Sequence, residues 1–341
     1  MGITFRKDIL ESRLLNPLKN FELDTKITEI RYDPLTGRNC RITEPHVSPV
    51  TGKADLSELI EKSKNCFFCA DKVEKVTPKL PPEMSSDERI KIGEAVLFPN
   101  LSAYGKYSSV CIYSREHFTE LGGLTPELVG NNLKAHQRYV QLVADYDPSV
   151  EYCSINANYL PSAGSSLFHP HTQSTIDPMP TNMQRDLVAC SQSYYEKNRS
   201  VFWLDLVQAE KDQNERYLGS IGNTAWLVSY APIGFYEVQG VVLGHSSLAQ
   251  MTSADIEGMG TGISKVLRYY SDKNFNSFNF VVYSGPLRGS DSFRVCIRII
   301  NRSNFEPYYR SDATYFERLH LEGMMDTRPE ETAAEMRPYF T

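Results

Sequence analysis

His169-Pro170-His171-Thr172-Gln173 sets two imidazoles and a carboxamide at alternate positions of a segment that reads as a β-strand. Side chains two residues apart on a strand project from one face, so these three point the same way. Imidazoles and amides are costly to bury without partners, and proline brings no ladder donor, so plain core strand is a poor account of the pentapeptide. The bland alternative is a pair of surface histidines beside a turn. A second pair of reactive groups is Cys66-Phe67-Phe68-Cys69, which has the spacing of half a zinc site. With no second CxxC in the chain, two more ligands must come from elsewhere. His117, in the polar run Arg115-Glu116-His117, and His169 are the candidates. The competing reading is a redox dithiol, against which stand two phenylalanines in the gap and the lack of a surrounding βαβ pattern.

The elements that carry these residues occur twice. An apolar segment, Ser108–Tyr113, leads to His117. A helix follows, with Thr125 as N-cap, Pro126 at its first position and Leu128, Leu133, Val140 and Val143 along one face. Then come a strand from Tyr152 to Asn156, a small-residue loop from Ser162 to Ser166, and the strand of His169, His171 and Gln173. The second pass runs through apolar segments Ala225–Tyr230 and Val238–Leu243 to His245. A helix from about Ser253 carries Ile256, Ile263 and Leu267 on one face, and strands Phe278–Tyr283 and Arg294–Ile300 flank the loop Gly285–Ser290. His117 and His245 are 128 apart, and His169 and Cys296 are 127 apart. A nearly constant offset points to duplication of an α+β unit. Two unrelated α+β halves remain the other reading. The expected domains are 1–195, catalytic, and 196–341, with a degenerate motif. The first hundred residues read as irregular apart from turn chemistry at Tyr32–Gly37 and loop at Pro78–Ser86.

Composition narrows the function classes. The chain has 341 residues, 36 basic against 42 acidic, net −6, with no basic block, which excludes a general nucleic-acid binder. No apolar run approaches the roughly 18–20 residues of a membrane span, and the polar start is no signal peptide. Seven cysteines, an odd number, argue against a disulfide scaffold and for a cytoplasmic setting.

Arg31-Tyr32-Asp33-Pro34-Leu35-Thr36-Gly37, Cys66-x-x-Cys69, Phe98-Pro99-Asn100-Leu101, Ser114-Arg115-Glu116-His117, Asn158 and His169-Pro170-His171-x-Gln173 occur in that order. Together they resemble the galactose-1-phosphate uridylyltransferase branch of the histidine-triad superfamily. The resemblance implies an α+β fold of two tandem histidine-triad-like units, each a mostly antiparallel sheet with flanking helices. It implies that His171 is a nucleophile forming a covalent nucleotidyl intermediate, and that Gln173 donates to the phosphoryl oxygens. Asn158, Ser165, Ser166 and Asn100 would contact substrate, and Cys66, Cys69, His117 and His169 would bind one structural Zn2+. The implied reaction moves a nucleoside monophosphate from a nucleoside diphosphate sugar to a phosphorylated small-molecule acceptor, in a homodimeric enzyme with no nucleic-acid or membrane partner. Alternatives are a phosphorylase or hydrolase of ADP-sugars or dinucleoside polyphosphates, and a zinc-containing nucleotide-binding protein without catalysis.

Departures from the family pattern sharpen the reading. Thr172 stands where Gly is usual, which narrows the space beside the phosphate. The stretches Tyr283-Ser284-Gly285 and Cys296-Ile297-Arg298 lack the histidines of a second metal site, and the arginines expected near His46-Val47-Ser48-Pro49 are absent. In the hexose-contacting segment Glu322 is kept, but Arg328 replaces a Gln, which suits a more anionic acceptor; the other reading is an ion pair of Arg328 with Glu322 or Asp326 on a solvated turn. His136, among Lys134, Gln137 and Arg138, reads as a solvated helix face. His245 reads as closing a strand, and His46 and His320 show no partner. Cys40, Cys111, Cys153 and Cys190 read as small core residues, and the Tyr269–Tyr270 and Tyr308–Tyr309 pairs as packing or dimer surface.

Overall fold

A computed structural model describes residues 2–43, 54–306 and 311–341. His46 with Val47–Pro49, and the Tyr308–Tyr309 pair, lie outside the described residues. The chain opens with β1 (Lys7–Asn16), β2 (Glu22–Tyr32) and β3 (Asn39–Thr43), then α1 (Ser57–Ser63) and α2 (Val73–Val76) on either side of the CxxC. The first unit continues with β4 (Ile90–Ile92), β5 (Ala95–Pro99), β6 (Tyr107–Ile112), α3 (Pro126–Tyr146), β7 (Tyr152–Tyr159) and β8 (His171–Asp177). Helices α4 (Asn182–Asn198) and α5 (Phe202–Gln213) lead to β9 (Tyr217–Ile221), β10 (Thr224–Val228), β11 (Val238–Val242), α6 (Ser253–Asp272), β12 (Phe278–Tyr283) and β13 (Cys296–Asn301). β14 (Gly323–Met325) and α7 (Pro329–Met336) follow.

Ten strands form one antiparallel sheet in the order β4-β5-β6-β8-β7-β12-β13-β11-β10-β9. The order outward from the β7–β12 seam is the same on both sides, and each long helix joins the third strand from the seam to the strand at the seam. The fold is thus α+β, with two tandem units sharing one sheet. The 195/196 boundary expected from sequence falls in the last turn of α4.

Alternation in the strands divides the sheet's two faces. Cys153, Ile155 and Ala157 of β7 and Phe278, Phe280 and Val282 of β12 turn toward α3 and α6. Those helices bury Val129, Leu133, Val140 and Val143, and Ile256, Met259, Ile263 and Val266, against them. Each such side chain contributes roughly 1.5–3 kcal/mol on leaving water. The helices cross where Gly130 meets Gly260, and a Cβ on Gly260 would lie 3.0 Å from the Gly130 nitrogen. Both helix starts are capped as their sequences predict: Thr125 accepts from the Leu128 N–H, with Pro126 first in the helix, and Thr252 forms a capping box with Asp255.

The opposite face is covered at its two ends. Phe68 and Val73 pack on Val96, Phe98, Val110 and Ile112, while α4 and α5 bring Leu187, Phe202, Trp203 and Leu206 onto Ala225, Leu227 and Val241. Between these covers lies a polar strip from β8, β7 and β12. Among the described residues no helix is long and apolar enough to cross a membrane.

The first hundred residues are less irregular than the sequence suggests. β1 and β2 pair from Lys7↔Arg31 to Asn16↔Glu22, in a second sheet of order β1-β2-β3-β14 with β14 parallel to β3. Nine of the ten β1 residues are exposed, so neither face needs apolar residues and no alternation marks the strand. The Tyr32–Gly37 turn anchors this sheet to the second unit. Asp33 accepts from the Leu35 and Thr36 N–H groups and ion-pairs with Arg298 at 3.2 Å, and Arg31 forks onto Glu330 at 2.8 and 2.9 Å.

Candidate active site and metal centre

β8 begins at His171, not at His169 as the alternating pattern suggested. Pro170 has no N–H to extend the ladder, and His169 lies in a bend, fully buried. Its Nε2–H donates to the Ser114 carbonyl at 2.9 Å. Because a carbonyl only accepts, the lone pair is on Nδ1, 3.6 Å from the Cys66 sulfur. His117 is arranged alike, with Nδ1 3.4 Å from the Cys69 sulfur and Nε2 3.0 Å from the Ser63 hydroxyl. The two sulfurs are 3.7 Å apart, and the four ligand atoms lie within 4.8 Å of one another. A tetrahedral ion with sulfur at ~2.3 Å and nitrogen at ~2.0–2.1 Å would separate its donors by about 3.8 Å (S–S) and about 3.6 Å (S–N). The residues fit. Burial keeps both imidazoles neutral, taking His169 down to about 4, and without a cation pushes the Cys66 thiol up to about 11. This Cys2His2 cluster can therefore bind a metal ion, which would stabilise the thiolates.

His171 is buried, and its Nδ1–H donates to the carbonyl of His169 at 2.8 Å. The tautomer is thereby set, and Nε2 carries the free lone pair. Burial holds its pKa below the ordinary imidazole value. Phe68, from inside the CxxC, sets its ring edge-on to His171 at 5.4 Å and to His169 at 5.9 Å, backed by Phe98 at 5.4 Å. The Cys66–Cys69 turn thus walls the His171 ring.

Gln173, two residues along β8, shares the face of His171 and is paired with Val110 on β6 and Asn156 on β7. Its amide has no side-chain partner among the described residues. Asn158 lies further along β7 on that face, exposed, under the loop Pro161–Ser166. Gly164 in this loop has φ +93°, a conformation that favours glycine, and a Cβ there would sit 3.8 Å from Asn158 Nδ2. Ser166 is exposed, whereas the Ser165 hydroxyl is buried and donates to the Leu167 carbonyl at 2.7 Å. Asn100 follows β5, its side chain accepting from the Ser102 N–H at 3.0 Å. Glu322 and Arg328 are not brought to His171. Glu322 pairs with Arg41 on β3 at 2.8 Å, and Arg328 is exposed at the start of α7. The neighbouring Gly323 abuts Pro232 and Ile233, beyond β10, five strands from β8 in the sheet order.

Three readings of single residues are corrected. His136 does not lie on a solvated face: it is fully buried, its Nε2 2.7 Å from the Thr172 hydroxyl and its Nδ1 3.5 Å from that of Ser109. Thr172 does not narrow the site, since it points to the helix side of the sheet and donates to Asn132 Oδ1 at 2.7 Å. Cys190 is only half-buried, whereas Cys40, Cys111 and Cys153 are core. His245, just past β11, lies 2.8 Å from the Asp255 carboxylate, and Tyr269 and Tyr270 are buried packing. Arg298, in the stretch without second-site histidines, pairs with Glu237 at 3.4 Å as well as with Asp33. Sequence reasoning missed Asn156, Phe68 and His136. The spacing of Asn156 to Asn158 was an available signal for the first, whereas the other two depend on packing between distant segments.

Burial pushes His136 down to about 3, so the folded protein holds it neutral while the unfolded chain protonates it near 6.5. Between these values the unfolded state binds more protons, so stability is complete above pH 6.5 and falls as pH drops, by about 1.4 kcal/mol per unit from this residue. Urea unfolding of the wild type and of His136→Gln at pH 7 and pH 5 tests this. The wild type should lose about 2 kcal/mol more than the variant, the metal site contributing equally to both. Parallel losses would contradict it.

With the geometry established, likeness to known proteins is informative. The fold matches a uridylyltransferase structure with a TM-score of 0.65 at 20% identity, covering 91% of this chain and 98% of the other. It matches the crystal structure of ADP-glucose phosphorylase from Arabidopsis thaliana with bound ADP-glucose with a TM-score of 0.70 at 18% identity, covering 91% and 98%. The fold, two units sharing one sheet with His171 and Gln173 on β8, is the one these uridylyltransferase and ADP-glucose phosphorylase structures show. The chain belongs to one family with a protein of Archaeoglobus fulgidus described as uncharacterized, 35% identical over 338 residues and covering 99% of each. ADP-glucose phosphorylase of Arabidopsis thaliana is 22% identical over 301 residues, 79% of this chain and 82% of that one. No protein-family model matches the chain.

Proposed function

We propose that the protein is a nucleotidyltransferase acting on nucleoside diphosphate sugars through a nucleotidyl–His171 intermediate. The observation that carries this reading is the Nδ1–H bond from His171 to the His169 carbonyl just before the strand, which leaves a neutral Nε2 lone pair on the polar face. Nε2 attacks the α-phosphorus, forming the N–P bond. The P–O bond to the sugar phosphate breaks, and its electron pair leaves on that oxygen. In the second half an acceptor phosphate oxygen attacks the same phosphorus and returns the imidazole to its neutral form. Gln173 and Asn158 donate to the phosphoryl oxygens as charge builds there. The N-terminal unit, residues 1–195, carries the chemistry, and the second, 196–341, supports it. Zn2+ held by Cys66, Cys69, His117 and His169 would be structural, since all four tetrahedral positions are taken by protein.

A second reading, with inorganic phosphate as acceptor, is favoured by the curated relative named ADP-glucose phosphorylase. Incubation with α-³²P-labelled UDP- and ADP-sugars tests the common step. An acid-labile, base-stable protein adduct is expected, whereas free monophosphate without adduct would defeat the proposal. A panel of phosphate and sugar phosphates then identifies the acceptor.

Arg328 bears on that acceptor. It makes no ion pair with Glu322 or Asp326: Glu322 is taken by Arg41, and Asp326 accepts from Thr327. An exposed guanidinium suits a doubly charged oxyanion, presented to a second copy of the chain in a homodimer. Arg328→Gln should raise the acceptor Michaelis constant roughly ten- to a hundredfold, the loss of a charge-assisted contact of about 1.5–3 kcal/mol. Adduct formation should be unaffected. Unchanged acceptor kinetics would remove Arg328 from the site.

A further inference from the structure

The loop over Asn158 is tied down by the second unit. Ser162 donates to the Ser277 hydroxyl at 2.8 Å, and Ser277 donates to the Tyr159 carbonyl at 3.0 Å. Two residues on, Asn279 of β12 lies opposite Asn158 across the seam. Its Nδ2 reaches the Ala157 carbonyl at 3.1 Å, the Ala163 carbonyl at 3.0 Å and Asn158 Oδ1 at 2.7 Å. Its Oδ1 accepts from Arg302 Nη1 at 2.5 Å. Arg302 is in turn gripped by Asp312, through Nε at 2.6 Å and Nη2 at 2.7 Å, with both side chains mostly buried.

Donor and acceptor rules remove every ambiguity in this chain. A guanidinium only donates, so the Asn279 atom facing Arg302 is its oxygen. Backbone carbonyls only accept, so the atom facing Ala157 and Ala163 is its NH2. The Asn158 atom that meets this NH2 must then be Oδ1, and the Asn158 NH2 is left for the open side of the site. We propose that Asn279, polarised by Arg302 and Asp312, is a positioning residue that locks the Asn158 carboxamide with its two N–H donors toward the bound phosphoryl group. The second unit, which lacks the histidine motif, thereby sets the charge preference of the first unit's site for an anionic ligand. This inference rests on the nucleotidyl–His171 reading.

Asn279→Asp nearly preserves shape and reverses polarity. One carboxylate oxygen still meets Arg302, but the other now requires a donor from Asn158. The Asn158 amide flips and turns its oxygen toward the phosphate. Single-turnover formation of nucleotidyl–His171 from α-³²P-labelled ADP-glucose and UDP-glucose should slow on the order of a hundredfold, the scale of a lost oxyanion donor. Asn279→Ala removes more atoms but imposes no flip, so it should cost less, about tenfold. The reverse order would overturn the inference, and the repulsion of the new carboxylate by the Ala157 and Ala163 carbonyls, present whether or not Asn158 is there, is taken out by the cycle that follows. Added negative charge is separated from the flip by a double-mutant cycle. In an Asn158→Ala background, Asn279→Asp should have little further effect, whereas an undiminished hundredfold loss there would also overturn it. If Asn279→Asp fails to fold, as read by thermal melting, the cycle is run with Asn279→Ala, whose effect should vanish in the same background and would overturn the inference if it persists. Wild-type protein that forms no adduct with either sugar nucleotide defeats the proposed function. A wild-type adduct with an unaffected Asn279→Asp variant defeats only this inference.

Discussion

Replacing His171 by glycine should abolish the proposed nucleotidyl transfer, by on the order of a millionfold, the scale on which deletion of a covalent nucleophile is felt. The adduct needs an unprotonated ring nitrogen, and among the described residues no other on the polar face supplies one: Gln173, Asn156 and Asn158 are amides, and the free nitrogen of His169 turns to the Cys66 sulfur. The fold should survive, because His171 heads its strand and its ring lies against Phe68 rather than within the helix-side core. A melting curve within a few degrees of wild type would confirm that the loss is chemical. The vacated space beside Phe68 has the shape of an imidazole. Added imidazole should enter it and partly restore transfer, passing the nucleotide directly to the acceptor. Full activity in the glycine variant would eliminate the mechanism.

Cys66→Ser should lose a bound metal and with it roughly 5 kcal/mol of stability, lowering the melting temperature by about 7 °C. The effect extends to chemistry through two contacts. The carbonyl of His169, a member of the Cys2His2 cluster, holds the His171 tautomer, and Phe68, between Cys66 and Cys69, packs on the His171 ring. Releasing the turn frees both, so adduct formation should slow even in the protein that stays folded. Elemental analysis of the wild type should find about one zinc per chain and no iron. A metal-free, fully active protein would end the proposal, and two metals per chain would mean a second site.

The two centres were legible in the sequence for different reasons. Cys66-x-x-Cys69 and His171-x-Gln173 are local patterns, in which spacing along the chain already dictates which side chains share a turn or a strand face, whereas His169, in the bend before the strand, was placed by the fold. The long helices were equally legible, because Thr125-Pro126 and Thr252 supply caps, and apolar residues recur at the helical period behind them. The strand register that sets Gln173 opposite Asn156 was not, although it follows once the strands are paired.

What the sequence by itself determined is therefore the α+β class, the order of elements in each unit and the residue types at the two candidate centres. Tertiary structure decided the orientations. His136 looked solvated among lysine, glutamine and arginine neighbours, yet its own helical position faces Thr172 across the sheet, and burial overrode the polarity of its surroundings in sequence. The β1–β2 hairpin escaped notice because a strand exposed on both faces carries no alternation. Asn279 and Arg302, more than a hundred residues beyond Asn158, gained a place beside it only because the two units share one sheet at the β7–β12 seam. A motif encodes groups a few residues apart, since those are fixed by covalent spacing. The polarity of the amides around them depends on hydrogen bonds between segments remote in the chain, and only the folded sheet brings these together.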